Sequence, residues 1–157
     1  MPFSKVRTYL DGLHVKYVVI GHSPAYTALE TAHLAHISGQ ELAKTVLVKV
    51  DGRMAMAVLP ASYQIDFELF RHSTGARSVE LATEAELQGL FPDCELGAMP
   101  PFGNLYGLPV FVAERLTERD EIAFNAGSHS ILFQMAYADF ARLVRPTVVR
   151  LAAALAA

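Results

Sequence analysis

Apolar positions recur along this chain with two periods, and the switches between them mark out its elements. Phe3, Val6, Leu10 and Leu13 fall at helical spacing, with Gly12 placed to end a first amphipathic helix. Residues 14–20 are β-branched and aromatic and predict a strand, which Gly21-His22-Ser23-Pro24 breaks. Thr27 predicts a helix N-cap with Glu30 at capping-box spacing, and Ser38-Gly39 predicts that helix's stop. Next comes the clearest local signal. Two alternating runs, 43–50 and 54–59, flank Asp51-Gly52 and predict a hairpin about a type I′ turn. Alternation sets Lys44, Val46, Val48 and Val50 on one face, with Thr45, Leu47 and Lys49 on the other.

After Pro60, the spacing predicts a short helix over 65–70, and Gly75 breaks the chain before Ala76-Arg77-Ser78-Val79. A second capping box, Thr83 with Glu86, predicts a helix carrying Leu87 and Leu90 and closed by Pro92. A strand follows over 108–113, where Pro109 marks an edge or a strand start. Strands over 121–125 and 130–135 join through Ala126-Gly127-Ser128-His129, and a closing helix runs from Tyr137 through Val144 to Pro146. Helices and strands mix with hairpins prominent, so the fold class is α+β with a mixed sheet. With no internal repeat and no linker, residues 1–157 read as a single domain.

One stretch fits neither period. Residues 97–107 hold three glycines, two consecutive prolines, Phe102 and Tyr106, and no charged residue. Proline fixes φ, while glycine permits positive φ and close approach of a ligand to the main chain. Two readings stand level: the wall of a pocket, or a connector that buries Phe102 and Tyr106.

Composition narrows the field. At 52% hydrophobic, 157 residues can bury a sizeable core. A net charge of -3 carries no global signature of nucleic-acid binding, so any RNA contact must be local and DNA is not an expected partner. The single cysteine, Cys94, cannot form an internal disulfide, which suits a reducing cytoplasm. No run is long enough to span a bilayer and no signal-type segment opens the chain, so a cytoplasmic protein without a membrane partner is expected.

Lys44 begins an apolar strand, where its ammonium can hold a phosphate or polarise an ester, against the alternative of a snorkelling surface lysine. Gly127-Ser128-His129 exposes backbone N–H groups and an imidazole able to act as base or donor, against the alternative of a plain β-turn. His22, His33 and His36 have no carboxylate or cysteine at ligand spacing, so neither a metal nor a cofactor is expected. Phosphate-binding glycine motifs and a serine-hydrolase elbow are absent. Cys94 sits between Asp93 and Glu95, and neighbouring acids raise a thiol's pKa and argue against a nucleophile.

Taken in order, Ala43-Lys44-Thr45-Val46-Leu47-Val48, then Gly97-x-x-Pro100-Pro101-Phe102-Gly103, then Ala126-Gly127-Ser128-His129 resemble the YbaK/prolyl-tRNA-synthetase-associated editing domains. The segment from His22 through Thr27 to Glu30 fits the same pattern, and the likeness covers roughly residues 17–143. The resemblance implies a strongly curved, barrel-like mixed sheet of about six or seven strands flanked by helices. It also implies hydrolysis, in trans, of a mischarged aminoacyl-tRNA ester bearing Ala, Ser, Cys, Thr or a related amino acid. By motif match Lys44 engages the tRNA 3′ end, and Gly97, Met99, Pro100, Pro101 and Phe102 size the aminoacyl group. Gly127, Ser128 and His129 form a second pocket loop, with Gly103 and Gly127 as backbone oxyanion donors and His22 and Thr27 beside the substrate.

The expected partners are the acceptor end of a mischarged tRNA and an aminoacyl-tRNA synthetase; whether the chain must dock on a synthetase is not decided by the sequence. An activated ester needs positioning and oxyanion stabilisation, not a metal. The alternative is a non-catalytic module of the same fold that binds aminoacyl-tRNA or a synthetase. The sequence assigns no oligomeric state.

Overall fold

The computed structural model describes residues 4–155. Helix α1 (Ser4–Gly12) buries Val6 and Leu10; Phe3 of the same expected stripe lies outside the described residues. Leu13 is half exposed, because His14 takes a left-handed φ of 57° and the Val15 N–H returns to the Leu10 carbonyl. That turn shortens the expected strand to β1 (Val18–Gly21). In α2 (Ala28–Ala35) Thr27 Oγ1 accepts from the Glu30 N–H at 3.1 Å. A left-handed His36, φ 56°, ends this helix before the expected Ser38-Gly39 stop.

The hairpin forms as its sequence dictates, from β2 (Leu42–Val50) and β3 (Arg53–Pro60). Asp51 and Gly52 have φ of 51° and 80°, both positive as a type I′ turn requires. Asp51 Oδ1 also accepts from the N–H groups of Arg77 at 2.8 Å and Ser78 at 3.0 Å, which seats β5 (Val79–Leu81) on β2. Asp51→Ala loses both bonds and puts a Cβ-bearing residue without local hydrogen bonds in the left-handed region. An expected loss of about 2 kcal/mol follows, read as a lower urea midpoint; an unchanged midpoint would show that the turn does not anchor β5.

Strand β4 (Tyr63–Ile65) precedes α3 (Phe67–Thr74), which Asp66 caps and Gly75 closes at φ 72°. The Thr83–Glu86 box is complete, at 3.2 and 2.8 Å, yet α4 (Glu84–Leu87) is one turn long because Gly89 takes φ 83°. Then follow β6 (Val110–Ala113), β7 (Glu121–Ser128), β8 (Ile131–Ala136), α5 (Tyr137–Val144), β9 (Thr147–Val149) and β10 (Ala152–Ala154). Pro109 stands at a strand start, since β6 lies between β3 and β9.

The main sheet has eight strands, in the order β1-β8-β7-β2-β3-β6-β9 with β5 also on β2, rather than six or seven. It is mixed: β2–β7, β3–β6 and β6–β9 are parallel, the other pairs antiparallel. It is also open, ending at β1 and β9, and does not close into a barrel; β4 and β10 form a separate pair. One face buries Leu47, Met56, Phe124 and Phe133 with α1, α5 and Phe102. The opposite face buries Val48, Ala55 and Leu59 against Phe70 of α3, and a smaller cluster seats α2 through Ala32 on Leu42, Ala123 and Leu132.

The far edge of β2 is shared. It pairs with β7 only through Leu42 and Ala43, and with β5 only from Val48 to Val50. The Ala61 N–H donates to the Leu42 carbonyl, so in the antiparallel ladder the even-numbered residues of β2 bond to β3. Thr45 therefore turns its main-chain N–H and C=O toward the stretch where β7 has left and β5 has not arrived.

Candidate active site between two parting strands

A cavity of about 160 Å³ occupies this parting. Its floor is Ala43, Lys44, Thr45 and Val46 of β2, with Asn125 of β7 opposite. Tyr26, Thr27 and Thr31, around the start of α2, form one wall, and Gly97, Met99 and His129 form the other.

That second wall is stapled together by main-chain bonds. The register of β7 on β8 slips between Asn125 and Ser128, so Ala126 and Gly127 bulge, with Gly127 at φ 97°. The Glu95 N–H donates to the Gly127 carbonyl and the Gly127 N–H to the Ala98 carbonyl, each at 2.8 Å. His129 Nε2 lies 2.7 Å from the Leu96 carbonyl oxygen. A carbonyl only accepts, so Nε2 carries the proton and in the neutral ring Nδ1 is left as the acceptor. Gly97 has φ 86°, and a Cβ there would stand 3.5 Å from His129 Cε1, so loop and imidazole meet closely.

Lys44 is half buried on the cavity floor. Desolvation alone lowers its pKa from the ordinary 10.5, and no hydrogen bond or ion pair holds its ammonium among the described residues. Lys49, by contrast, is paired with Glu80 at 3.3 Å and Glu86 at 2.7 Å. An unpaired, partly desolvated cation in a cavity is a receptor for an anion or for developing negative charge.

Thus Lys44, Thr27, Gly97, Met99 and His129 of the expected site do line one cavity. Others stand elsewhere. Phe102 is fully buried in the core, edge-on to Phe124 and Phe140 at 5.4 and 5.5 Å, so the connector reading holds for it. Gly103 is buried beside it, and Pro100 and Pro101 are buried behind the lining. Ser128 Oγ bonds within its own turn, to Ser130 Oγ and from the Ser130 N–H. His22 gives its main-chain N–H to the Ser130 carbonyl and its ring Nδ1 to the Ser23 carbonyl. Gly127 spends its N–H on Ala98, which leaves Gly97 as the glycine that faces the cavity.

Cys94 is poorly suited as a nucleophile: burial pushes its thiol up to about 11, opposed by the bond to Tyr106 and helped to a lesser degree by the Asp93 charge. Tyr106 Oη donates to Asp93 at 2.9 Å and lies 3.4 Å from Cys94 Sγ, so this cluster ties the long loop shut. Sequence reading passed over Thr31, Thr45, Val46 and Asn125 as site residues. For Thr45 and Val46 the signal available was the hairpin itself, since they neighbour Lys44 on its first strand; Thr31 and Asn125 come from other elements and had no such signal.

The model of the aminoacyl-tRNA editing domain matches residues 22–143. The chain belongs to this family. That stretch contains the whole cavity lining, from Ala25 to His129. Among relatives, the chain is 35% identical over 112 residues to the multifunctional Ser/Thr-tRNA deacylase ProXp-y of Escherichia coli, covering 68% of this chain and 66% of that one. The match therefore spans just under two thirds of the relative. It is 25% identical over 142 residues to the prolyl-tRNA editing protein ProX of Acetoanaerobium sticklandii, covering 87% and 86%.

Two crystal structures share this chain's fold. Hypothetical protein APE2540 superposes with a TM-score of 0.82 at 20% identity, covering 95% of this chain and 99% of that one. A protein provisionally assigned as a trans-editing enzyme for prolyl tRNA synthetase gives 0.79 at 21%, covering 96% of each. Among the described residues no helix is long and apolar enough to cross a membrane.

Proposed function

We propose that this chain is a trans-acting aminoacyl-tRNA deacylase that hydrolyses the ester of a mischarged tRNA carrying a small amino acid of the Ala, Ser, Cys or Thr type. The observation that carries the reading is the unpaired Lys44 ammonium on the floor of a cavity of about 160 Å³. The terminal nucleotide of a tRNA supplies the phosphate that such a cation lacks, and the small volume admits a short side chain while refusing a long one. Family membership and the names of the relatives point the same way.

In this reading Lys44 holds the 3′-terminal phosphate and orients the ester into the parting between β2 and β7. A water placed beside the neighbouring ribose hydroxyl attacks the carbonyl carbon, and the bond to the esterified ribose oxygen breaks as that oxygen takes up a proton, which frees the amino acid as its carboxylate. With Nε2 committed to Leu96, the Nδ1 of neutral His129 is the group able to accept the nucleophile's proton. Gly97 presents the main chain to the developing oxyanion. A low net charge of -3 fits contact with the acceptor end, not a wrapped tRNA.

The test is a deacylation time course on Ala-, Ser-, Cys- and Thr-tRNAs. The expected result is hydrolysis of at least one, with bulky aminoacyl-tRNAs untouched. Binding of these tRNAs without hydrolysis would instead make the chain a non-catalytic module of the same fold.

A further inference from the structure

Among the described residues lining the cavity, Asn125 is the one with a buried side-chain polar atom that has no partner. Its Oδ1 is shielded from solvent and accepts no hydrogen bond from any described residue. Buried acceptors are nearly always satisfied, and an orphan in a cavity lining is an acceptor waiting for a ligand's donor. Asn125 also sits at the position where β7 leaves β2, facing the floor that contains Lys44.

The donor it fits can be named by exclusion. No carboxylate lines the cavity, so a cationic group entering it must be received by neutral oxygens. The threonine hydroxyls on the α2 side are already engaged: Thr27 Oγ1 accepts from Glu30, and Thr31 Oγ1 donates to the Thr27 carbonyl. The hydroxyls of Tyr26 and Thr45, the main chain of Thr45 and the Asn125 carboxamide remain, and of the side-chain oxygens among them Asn125 Oδ1 is the one that is buried without a partner among the described residues. Every aminoacyl ester carries an α-ammonium next to its reacting carbonyl, and a charged donor is the group that suffers most when buried without an acceptor. We propose that Asn125 Oδ1 receives the α-ammonium of the aminoacyl group. Asn125 is then a positioning residue: it sets which way the ester carbonyl faces. This rests on the deacylase reading above.

The experiment compares wild type, Asn125→Leu and Asn125→Asp on Ser-tRNA, Ala-tRNA and N-acetyl-Ser-tRNA, with thermal unfolding of each variant as a check on folding. N-acetylation removes the ammonium. The expected result is that wild type prefers Ser-tRNA to its N-acetyl form, and that Asn125→Leu narrows this preference at least tenfold. Asn125→Asp, which keeps an oxygen acceptor, restores it. If all three substrates slow equally in Asn125→Leu, or none slows, the proposal is overturned. It is equally overturned if the Ser-to-Ala ratio collapses while the N-acetyl ratio holds, because the partner is then the side-chain hydroxyl. Absence of any hydrolysis by wild type would overturn the deacylase reading instead, which keeps the two failures apart.

Discussion

Replacing Lys44 with methionine is expected to lower deacylation about a hundredfold or more, while the variant stays folded and is at least as stable at neutral pH. The two halves have one cause. The folded-state pKa of Lys44 is lowered by desolvation, so the fold disfavours the charged form. As pH rises through that lowered pKa, the native state releases a proton that the unfolded chain holds up to about 10.5, and wild-type stability should climb across that alkaline window. Methionine keeps the length and apolar stem but carries no charge, so the climb should vanish. Urea unfolding from neutral pH to pH 10.5, beside the deacylation rate, reads both. A methionine variant with wild-type rates would remove Lys44 from the reaction.

The second large effect is expected far from any chemistry. A Cβ added at Gly103 would meet the Leu108 carbonyl oxygen and lie within 2.6 Å of Val110 Cγ2. The Gly103 carbonyl already accepts from the N–H groups of Tyr106 and Leu108, each at 2.9 Å, so the backbone there has little room to shift. Gly103→Ala should cost about 3 kcal/mol, a drop in Tm of roughly 6–12 °C for a chain of this size. Per folded molecule its deacylation rate should stay near wild type. A rate collapse in a variant of unchanged Tm would mean that Gly103 acts on substrate, not on packing.

These two residues show what the sequence could and could not disclose. Lys44 was legible because an isolated lysine at the head of a well-marked hairpin has a definite place, and β2–β3 formed with the expected turn and faces. The α+β class and the closing helix Tyr137–Val144 were legible for the same reason: their periods are strong and local. By composition residues 97–103 suit a pocket wall and a buried connector equally, and the run divides between the two. Gly97 and Met99 face the cavity, while Phe102 and Gly103 turn into the core. No local pattern decides this, since a proline pair suits either side and the outcome depends on Phe124 and Phe140, distant in sequence. Strands β5, β9 and β10 escaped notice because three residues are too few to show a period, and pairing alone defines them. Asn125 was hidden because its neighbour across the cavity is set by a parallel pairing of only two residues on each strand.

The parting of β7 from β2 has a consequence for how this binding site can change. Most cavities in small domains are hollows left between side chains, and emptying one costs packing. Here the opening is written in main-chain pairing: β2 remains bound to β3 along its full length whatever happens on its other edge. Residues on the two lips can thus be exchanged without loosening the hairpin that carries the floor. Such a site is free to alter which side chain it accepts while the scaffold beneath it stays the same.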